Sequence, residues 1–442
     1  MAERPNHAHL WPDTARISRD GRLLIAGLDV AALAREYGTP LYLYDEDTLR
    51  GQMRAFRQAF ASRWPQSAVA YAGKAYLSPA LCALLMEEGL ELDTVSAGEV
   101  GVALRAGFPP ERIHLHGNMK PDAELASALD AGGSGVGRVV VDSLDELARL
   151  EALGRERGRA APVWLRVNPD VRAQTHASIH TGHADSKFGL DLASGAVLEA
   201  ARRAAASPWL DLAGLHAHAG SQLFDAAPAA QVVATLAGLA ATIRDETGAA
   251  PRELSPGGGV GVAYTPEERP LDPGAYAGAL CAMLREEAER LRLPPPRLIV
   301  EPGRAIVARA GVALYTTGPR KVTPHAVFVS VDGGMGDNPR PALYGARYHA
   351  ALAGRMTAPA TETVQVAGRY CESGDILVQA ARLPEARPGE ILAIPVSGAY
   401  HLPMASNYNL VPRPAVVFVR EGRARLVRRR ETLDDLIRLD AL

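Results

Sequence analysis

Residues 297–304 read RLIVEPGR: an apolar run followed at once by a carboxylate, a proline, a glycine and an arginine. The run has the length and branching of a strand buried on both faces. The polar chemistry sits where that strand ends. The same order recurs upstream. RELS (252–255) leads into a triple glycine, and AGLHAH (213–218) leads into AGS. Further back, SAVAY (67–71), ELDTV (91–95), RIHLH (112–116), RVVVD (138–142) and PVWLRV (162–167) also read as strands. Helical stretches lie between them, among them 78–88, 120–131, 143–156 and 273–292. Ser143 ahead of Glu146 has the spacing of a capping box. Eight strands alternating with helices predict a parallel (β/α)8 barrel, with an open doubly wound sheet as the alternative.

From about residue 310 the rhythm changes. Val-, Gly- and Pro-rich pieces such as HAVFVSVDGG, EILAIPVSGAY and PAVVFVREGRARLVRR read as short strands with turns between them. They predict an antiparallel β-domain. The early piece GRLLIAGLDV (21–30) is expected to pack with it. The resulting division is a barrel over 46–309, and a β-domain made of 1–45 with 310–442.

Composition narrows the class. The 442 residues carry 48 basic and 50 acidic side chains, 47% hydrophobic residues and 22% charged residues. These are globular values that exclude disorder and give no electrostatic footprint for nucleic acid. No uninterrupted apolar stretch in the sequence approaches bilayer length. The start, MAERPNHAHLWPD, has charges and prolines where a secretory signal needs an apolar core. Three cysteines, Cys82, Cys281 and Cys371, suit neither a disulfide framework nor a zinc site. A cytoplasmic setting is expected.

Only four of the basic residues are lysine: Lys74, Lys120, Lys187 and Lys321. Lys74 follows the first strand. Asp93 lies in the second, Arg166 and Asn168 end the fifth, and His218 ends the sixth before Gly220-Ser221. Gly257, Gly258 and Gly259 follow the seventh, and Glu301, Pro302, Gly303 and Arg304 close the eighth. In a barrel these ends converge on one face, and the loops after strands seven and eight are its common phosphate position. Glycines let backbone N–H groups approach an anion. A lysine beside a phosphate cradle suggests attachment of pyridoxal 5′-phosphate through a Schiff base. Lys74 would attach it, the glycines would hold its phosphate, His218 would lie against its ring, and Glu301 would face its ring nitrogen.

Plainer readings stand beside these. A lone lysine is usually a solvated charge, and a triple glycine an ordinary turn. His216 and His218 form an HxH pair, but on strand six rather than strand one, so no metal is expected. His114 and His116 read as structural. GGSGVGR (132–138) precedes a strand rather than a helix, which rules out a dinucleotide fingerprint. Cys371 in isolation reads as a small apolar residue.

Taken together, the motifs resemble the fold-type III pyridoxal phosphate decarboxylases, most closely the diaminopimelate decarboxylase family. The resemblance runs from Tyr71 to Arg413 through YAGKA (71–75), ELDTVSAGE (91–99), HGNMK (116–120), THASIHTGHADSKFG (175–189) and GLHAHAGSQ (214–222). It continues through GGGVGVAY (257–264), EPGR (301–304), DGGMGDNPRPALYGA (332–346), CESGD (371–375) and GAYHLPMASNYN (398–409). It implies decarboxylation of meso-2,6-diaminopimelate to L-lysine and CO2 in a homodimer with shared active sites. It further implies Lys74 as the attachment point, His218 as the ring-stacking residue, and Ser221, Gly259 and the 301–304 turn as cofactor contacts. Arg304, Arg340, Tyr344, Glu372 and Tyr400 would contact substrate. Cys371 would donate a proton, supplied with Glu372 by the partner subunit. His180, His183, Gly333, Gly336 and the HLP of 401–403 depart from the usual pattern. Other members acting on ornithine, arginine or carboxynorspermidine, a metal-dependent barrel hydrolase, and a non-catalytic cofactor-binding homologue are the competing readings.

Overall fold

Eight short strands succeed one another: β1 (Ser67–Ala72), β2 (Glu91–Thr94), β3 (Ile113–Leu115), β4 (Arg138–Val141), β5 (Ala161–Asn168), β6 (Leu210–His216), β7 (Glu253–Ser255) and β8 (Arg297–Val300). Each pairs in parallel with the next, and β8 pairs in parallel with β1. The ring is closed, so the open-sheet alternative fails and the barrel expected from the sequence is present. The structure, a computed structural model, describes residues 3–169 and 187–441. The 175–189 motif, with His180 and His183, falls outside the described residues apart from 187–189. The chain divides into two compact units. One comprises residues 53–261 and 270–303; the other comprises 1–52, 262–269 and 304–442.

In the barrel unit, Ala70, Val140, Trp164, Ala213 and Ile299 from five strands fill the interior. The Trp164 indole donates to Glu253 Oε2 at 2.7 Å. A Cβ at position 214 would sit 2.8 Å from that indole nitrogen and 2.5 Å from the Glu253 carbonyl, so only glycine fits there. At the N-terminal end of the barrel, charged strand-start residues pair off. Arg138 and Arg297 both reach Glu253, while Glu91 meets Arg297 and, at 3.0 Å, His114 Nε2.

Serine caps begin the helices that wrap this core. Ser78, Ser96 and Ser143 each accept a backbone N–H three residues on, all at 3.2 Å. At Ser143 the expected capping box is only half made. The Glu146 carboxylate goes instead to the fully buried ammonium of Lys120, 2.8 Å away. Helix Ala227–Thr247 is long and apolar enough by composition to cross a bilayer, a feature its alanine content concealed in the sequence. Val232, Val233, Leu236 and Ile243 on it are buried against the rest of the barrel unit.

The other unit is built on a sheet ordered Ile376–Leu383, Glu362–Ala367, Val327–Val331, Gly311–Val322, Leu41–Asp45, Ala415–Arg420, Arg423–Arg428. Most pairings are antiparallel, as expected. Two are parallel: Leu41–Asp45 with Ala415–Arg420, and Val327–Val331 with Glu362–Ala367. The sheet is therefore mixed. Its Leu41–Asp45 strand was not legible in the sequence. All five of its residues are buried, so no polar-apolar alternation marks it. The early piece does pack here: Leu23–Ile25 forms a small sheet with Arg16–Ile17 and Leu28–Asp29, and Leu23 N donates to Ala353 O at 2.7 Å. Residues 46–52, 262–269 and 304–309, given to the barrel in the sequence reading, cluster with this unit.

The barrel base carries a pH signature. Burial alone would raise the pKa of Glu91, but its hydrogen bond to His114 and the nearby Arg297 overrule that and bring it to about 2, from 4.5. A depressed acid pKa contributes stability that is complete above the unfolded value and is lost as pH falls through the folded one. Denaturant titrations of Glu91→Gln are expected to show lower stability at neutral pH. They should also show a shallower loss between about pH 4.5 and 2 than the parent protein. Parallel pH profiles would remove this assignment.

Candidate active site

At the C-terminal end of the barrel, Lys74 stands in a single turn, Gly73–Ala75, directly after β1. The turn is pinned by Tyr71, whose hydroxyl donates to Tyr76 O at 2.7 Å. Lys74 is exposed. Of the other lysines, Lys120 is consumed by Glu146 and Lys187 lies 5.0 Å from the Phe188 ring centre. Lys321 lies on the exposed part of strand Gly311–Val322.

Asp93 and Glu301 stand at the ends of β2 and β8 as buried carboxyls whose pKa values move in opposite directions. Burial, with neighbouring Glu301, pushes the Asp93 pKa well above the carboxylate range. Burial would push Glu301 the same way, but it accepts from His216 Nε2 at 3.0 Å and from Ser255 Oγ at 2.9 Å, and these partners hold it well below. The two carboxyls are thus shifted in opposite directions. His116 stands between them, its Nε2 3.5 Å from Asp93 Oδ1 and 3.6 Å from Glu301 Oε1. Burial keeps its imidazole neutral. Arg166 ends β5 over the Phe188 ring at 4.4 Å and faces Asp142 at 3.8 Å.

His218 is half-buried and accepts the Gly258 N–H on Nδ1 at 3.3 Å. Burial first, and the nearby Lys74 second, hold its pKa well below the usual value, so its proton sits on Nε2. The glycines behind it are required by space. A Cβ on Gly258 would lie 2.0 Å from the Glu301 carbonyl, and one on Gly259 would lie 2.2 Å from the Gly220 carbonyl. Gly257 and Gly259 also take positive φ, +74° and +92°. Bare backbone therefore lines this end beside Ser221, Pro302 and Gly303.

The HxH pair does not act as one chelate: His216 turns to Glu301 and His218 to Gly258. His116, His216 and Glu301 do bring ligand atoms within 4.8 Å of one another. Yet Glu301 already accepts from His216 and Ser255, which is how a carboxylate is held rather than how a metal is shared. His116 had been read from the sequence as structural, together with His114. The structure separates them: His114 joins the base and His116 the active end.

The β-sheet unit holds a second constellation. Arg304 donates to the Tyr264 hydroxyl at 2.7 Å and lies 4.6 Å from the Tyr400 ring centre. Arg340 is buried, donates to the Tyr348 hydroxyl and sits 4.7 Å over the Tyr264 ring. Burial would raise the Tyr264 phenol, but the two guanidinium groups hold it below its usual value. Tyr400 adopts φ +61°, an uncommon conformation for a bulky side chain and one that clusters at functional sites. Tyr344, Cys371 and Glu372 are exposed. Cys371 N donates to Asn409 Oδ1 at 2.9 Å. The other two cysteines are buried thiols, raised to about 12 (Cys82) and about 11 (Cys281).

Two of the unusual glycines have a packing reason. A Cβ on Gly333 would lie 2.3 Å from the Tyr315 ring, and one on Gly336 would lie 2.2 Å from the Tyr370 hydroxyl. Tyr264, Tyr348, Ser255 and His401 belong to these constellations and escaped the sequence reading. Each sits in a motif recognised there or beside one, but a single residue type at such a position carries no chemical signature.

Comparison with known proteins agrees. Residues 46–308 match the family model described as pyridoxal-dependent decarboxylase, pyridoxal binding domain. The chain is 45% identical over 428 residues to a diaminopimelate decarboxylase of Bacillus subtilis, covering 97% of each. It is 43% identical to one of Mycobacterium tuberculosis, covering 98% of each. A crystal structure of diaminopimelate decarboxylase from M. jannaschii in co-complex with L-lysine superposes with a TM-score of 0.90 at 33% identity, over 97% of this chain and 98% of that one. Barrel, mixed sheet and full-length similarity together place this chain in the diaminopimelate decarboxylase family of fold-type III pyridoxal-dependent decarboxylases.

Proposed function

We infer that this chain is a carboxy-lyase that converts meso-2,6-diaminopimelate to L-lysine and CO2, the final step of lysine biosynthesis by the diaminopimelate route. The barrel residues fit pyridoxal 5′-phosphate on their own chemistry. There is a glycine cradle that no Cβ can enter, an ionised carboxylate at Glu301, a neutral imidazole at His218, and a buried Asp93 Oδ1 without a hydrogen-bond partner. The bound cofactor supplies an electron sink for the C–C bond to the departing carboxylate.

The protein's part is to hold, orient and supply protons. Lys74, exposed directly after β1, would attach the cofactor. Gly257, Gly258, Gly259, Gly303 and Ser221 would hold the phosphate. His218 would lie against the ring, and Asp93, Arg166, Pro302 and Tyr400 would complete the surround. Glu301, kept ionised by His216 and Ser255, would keep a proton on the ring nitrogen. Cys371 would supply a proton to the substrate Cα.

The substrate choice rests on Arg340. It is a buried cation with no carboxylate within 4.0 Å of its guanidinium among the described residues. A buried cation without an anion is costly, so the site is suited to a ligand that brings one. Diaminopimelate carries a second carboxylate at its far end, and ornithine does not. Arg304, Arg340 and Tyr344 would read that carboxylate, with Glu372 reading the adjacent ammonium. We further propose a cytoplasmic homodimer in which Cys371 and Glu372 serve the partner's site, with no nucleic acid or membrane partner. Their exposure in the single chain, beside exposed Tyr408, whose hydroxyl donates to the Cys371 carbonyl at 3.3 Å, supports that reading. We propose that function divides between a cofactor-binding barrel over 46–309 and a β-domain from 1–45 with 310–442.

Borohydride reduction of the cofactor-loaded protein should label Lys74, read by peptide mapping. A label on Lys120, Lys187 or Lys321 would overturn that role.

The unmodified enzyme should prefer meso-diaminopimelate to ornithine by about 10⁴-fold in kcat/KM, because ornithine strands buried donors. Arg340→Ala should erode that preference by roughly 10²-fold while cofactor binding holds. Comparable kcat/KM values for the two substrates in the parent would refute the substrate assignment and leave the fold intact.

Cys371→Ala should fold and bind cofactor but lose turnover by roughly 10²–10⁴-fold, as for a positioned acid. Mixing it with Lys74→Ala should restore some activity once subunits exchange. No recovery despite demonstrated exchange would argue against shared sites.

A further inference from the structure

In the β-sheet unit a buried guanidinium and a buried carboxylate end one chain of side chains. Arg340 donates to the Tyr348 hydroxyl. That hydroxyl lies 2.8 Å from His401 Nε2. On the other side of the ring, His401 Nδ1 lies 3.2 Å from the Tyr42 hydroxyl, which lies 3.0 Å from Asp337 Oδ2. Tyr315 donates to the same carboxylate oxygen at 2.5 Å, and Gly334 N donates to Oδ1 at 2.9 Å. All five members of the chain are buried; His401 is 1% exposed.

Donor and acceptor counting fixes the direction of this chain from Arg340 as far as Tyr42. Arginine has no acceptor, so Tyr348 must accept from it and spend its single hydrogen on His401 Nε2. Burial, with Arg340 and Arg304 nearby, holds the His401 pKa well below its usual value, so the ring carries one proton. Nε2 accepts, which puts that proton on Nδ1, pointing at the Tyr42 oxygen. Tyr42 then gives its hydrogen to Asp337. Every bond runs in one direction, from the guanidinium to the carboxylate; burial raises the Asp337 pKa to about 6, so that end is an anion at neutral pH. The rings are also locked edge to face, Tyr348–His401 at 5.3 Å and Tyr42–His401 at 5.8 Å.

We propose that His401 is a positioning residue for substrate recognition. It fixes Arg340 through Tyr348 and ties that cation through Tyr42 to Asp337, so that the arginine is held ready by an anion with which it forms no direct ion pair. The proposal rests on the reading of Arg340 as the group that meets the far carboxylate. Arg340 needs an open face for the substrate, so a direct carboxylate partner would compete with its ligand. A neutral relay supplies orientation without that competition, and buried hydrogen-bond chains of this kind reinforce one another.

The test compares His401→Phe, which keeps a planar ring without nitrogens, with His401→Gln. The glutamine oxygen can accept from Tyr348 while its amide donates to Tyr42, preserving the direction of the chain. Steady-state kinetics with meso-diaminopimelate and inhibition by ornithine are measured on cofactor-loaded protein. His401→Phe should raise KM for diaminopimelate by about 10- to 100-fold, the effect of one hydrogen bond to a charged group, with kcat changed less than about twofold. The Ki of ornithine, which lacks the far carboxylate, should stay put. His401→Gln should recover most of the loss. Tyr348→Phe, which removes a single oxygen, should reproduce the KM rise and serves if His401→Phe does not fold.

An unchanged KM in a folded relay variant overturns the proposal. So does a loss shared equally by diaminopimelate and ornithine, which marks general damage to the fold. Arg340→Ala separates the two levels. If it leaves the preference for diaminopimelate intact, the substrate reading fails. If it erodes the preference while the His401 variants do not, only the relay fails.

Discussion

A buried carboxylate that must stay ionised organises the active end of the barrel. Glu301 ends β8 where burial alone would protonate it, and the donations from His216 and Ser255 decide otherwise. Those donors come from the ends of β6 and β7, so the charge state of one side chain depends on three strands being in register. Asp93 at the end of β2 has no hydrogen-bond partner on its buried Oδ1, and burial raises its pKa. Two carboxyls of the same chemistry are set apart by hydrogen bonding, which separates the pKa values of like groups within one site.

The opposite end of the barrel handles charge differently. Glu91 and Glu253 face Arg297, Arg138 and His114 in close pairs that leave no acid or base poised for reaction. Trp164 fills the space between the two ends and donates to Glu253. It can do so because residue 214 is glycine. Stability chemistry and reaction chemistry thus occupy opposite ends of the same eight strands, as the parallel barrel requires when every strand points the same way.

The sheet unit solves a third electrostatic problem. Arg340 is kept charged and buried without a carboxylate against it, surrounded by the rings and hydroxyls of Tyr264 and Tyr348. Aromatic faces and phenolic oxygens stabilise a guanidinium without neutralising it. The compensating negative charge lies at Asp337, at the far end of a chain of neutral side chains. Such a cation keeps its capacity to bind an anionic ligand.

Much of this was legible in the amino-acid order. Apolar runs ending in polar residues, separated by helices with serine caps, announce eight parallel strands, because strand burial and helix capping are local properties. The scarcity of lysine singled out Lys74, and the spacing of GGG and EPGR marked the anion-binding end. The Leu41–Asp45 strand was not legible, because complete burial erases the alternation that reveals a strand. The different fates of His114 and His116 were not legible either. They share one face of β3, and only barrel closure decides that one meets Glu91 at the base and the other lies between Asp93 and Glu301. The same holds for Glu146, whose capping-box position was overridden by buried Lys120, and for His401, whose partners Tyr42 and Tyr348 are hundreds and tens of residues away in the chain. Local sequence determines which elements form and where their ends lie. Which charges meet, and therefore which groups are ionised, is settled only by tertiary contacts, because ionisation depends on burial and on neighbours that the linear order does not bring together.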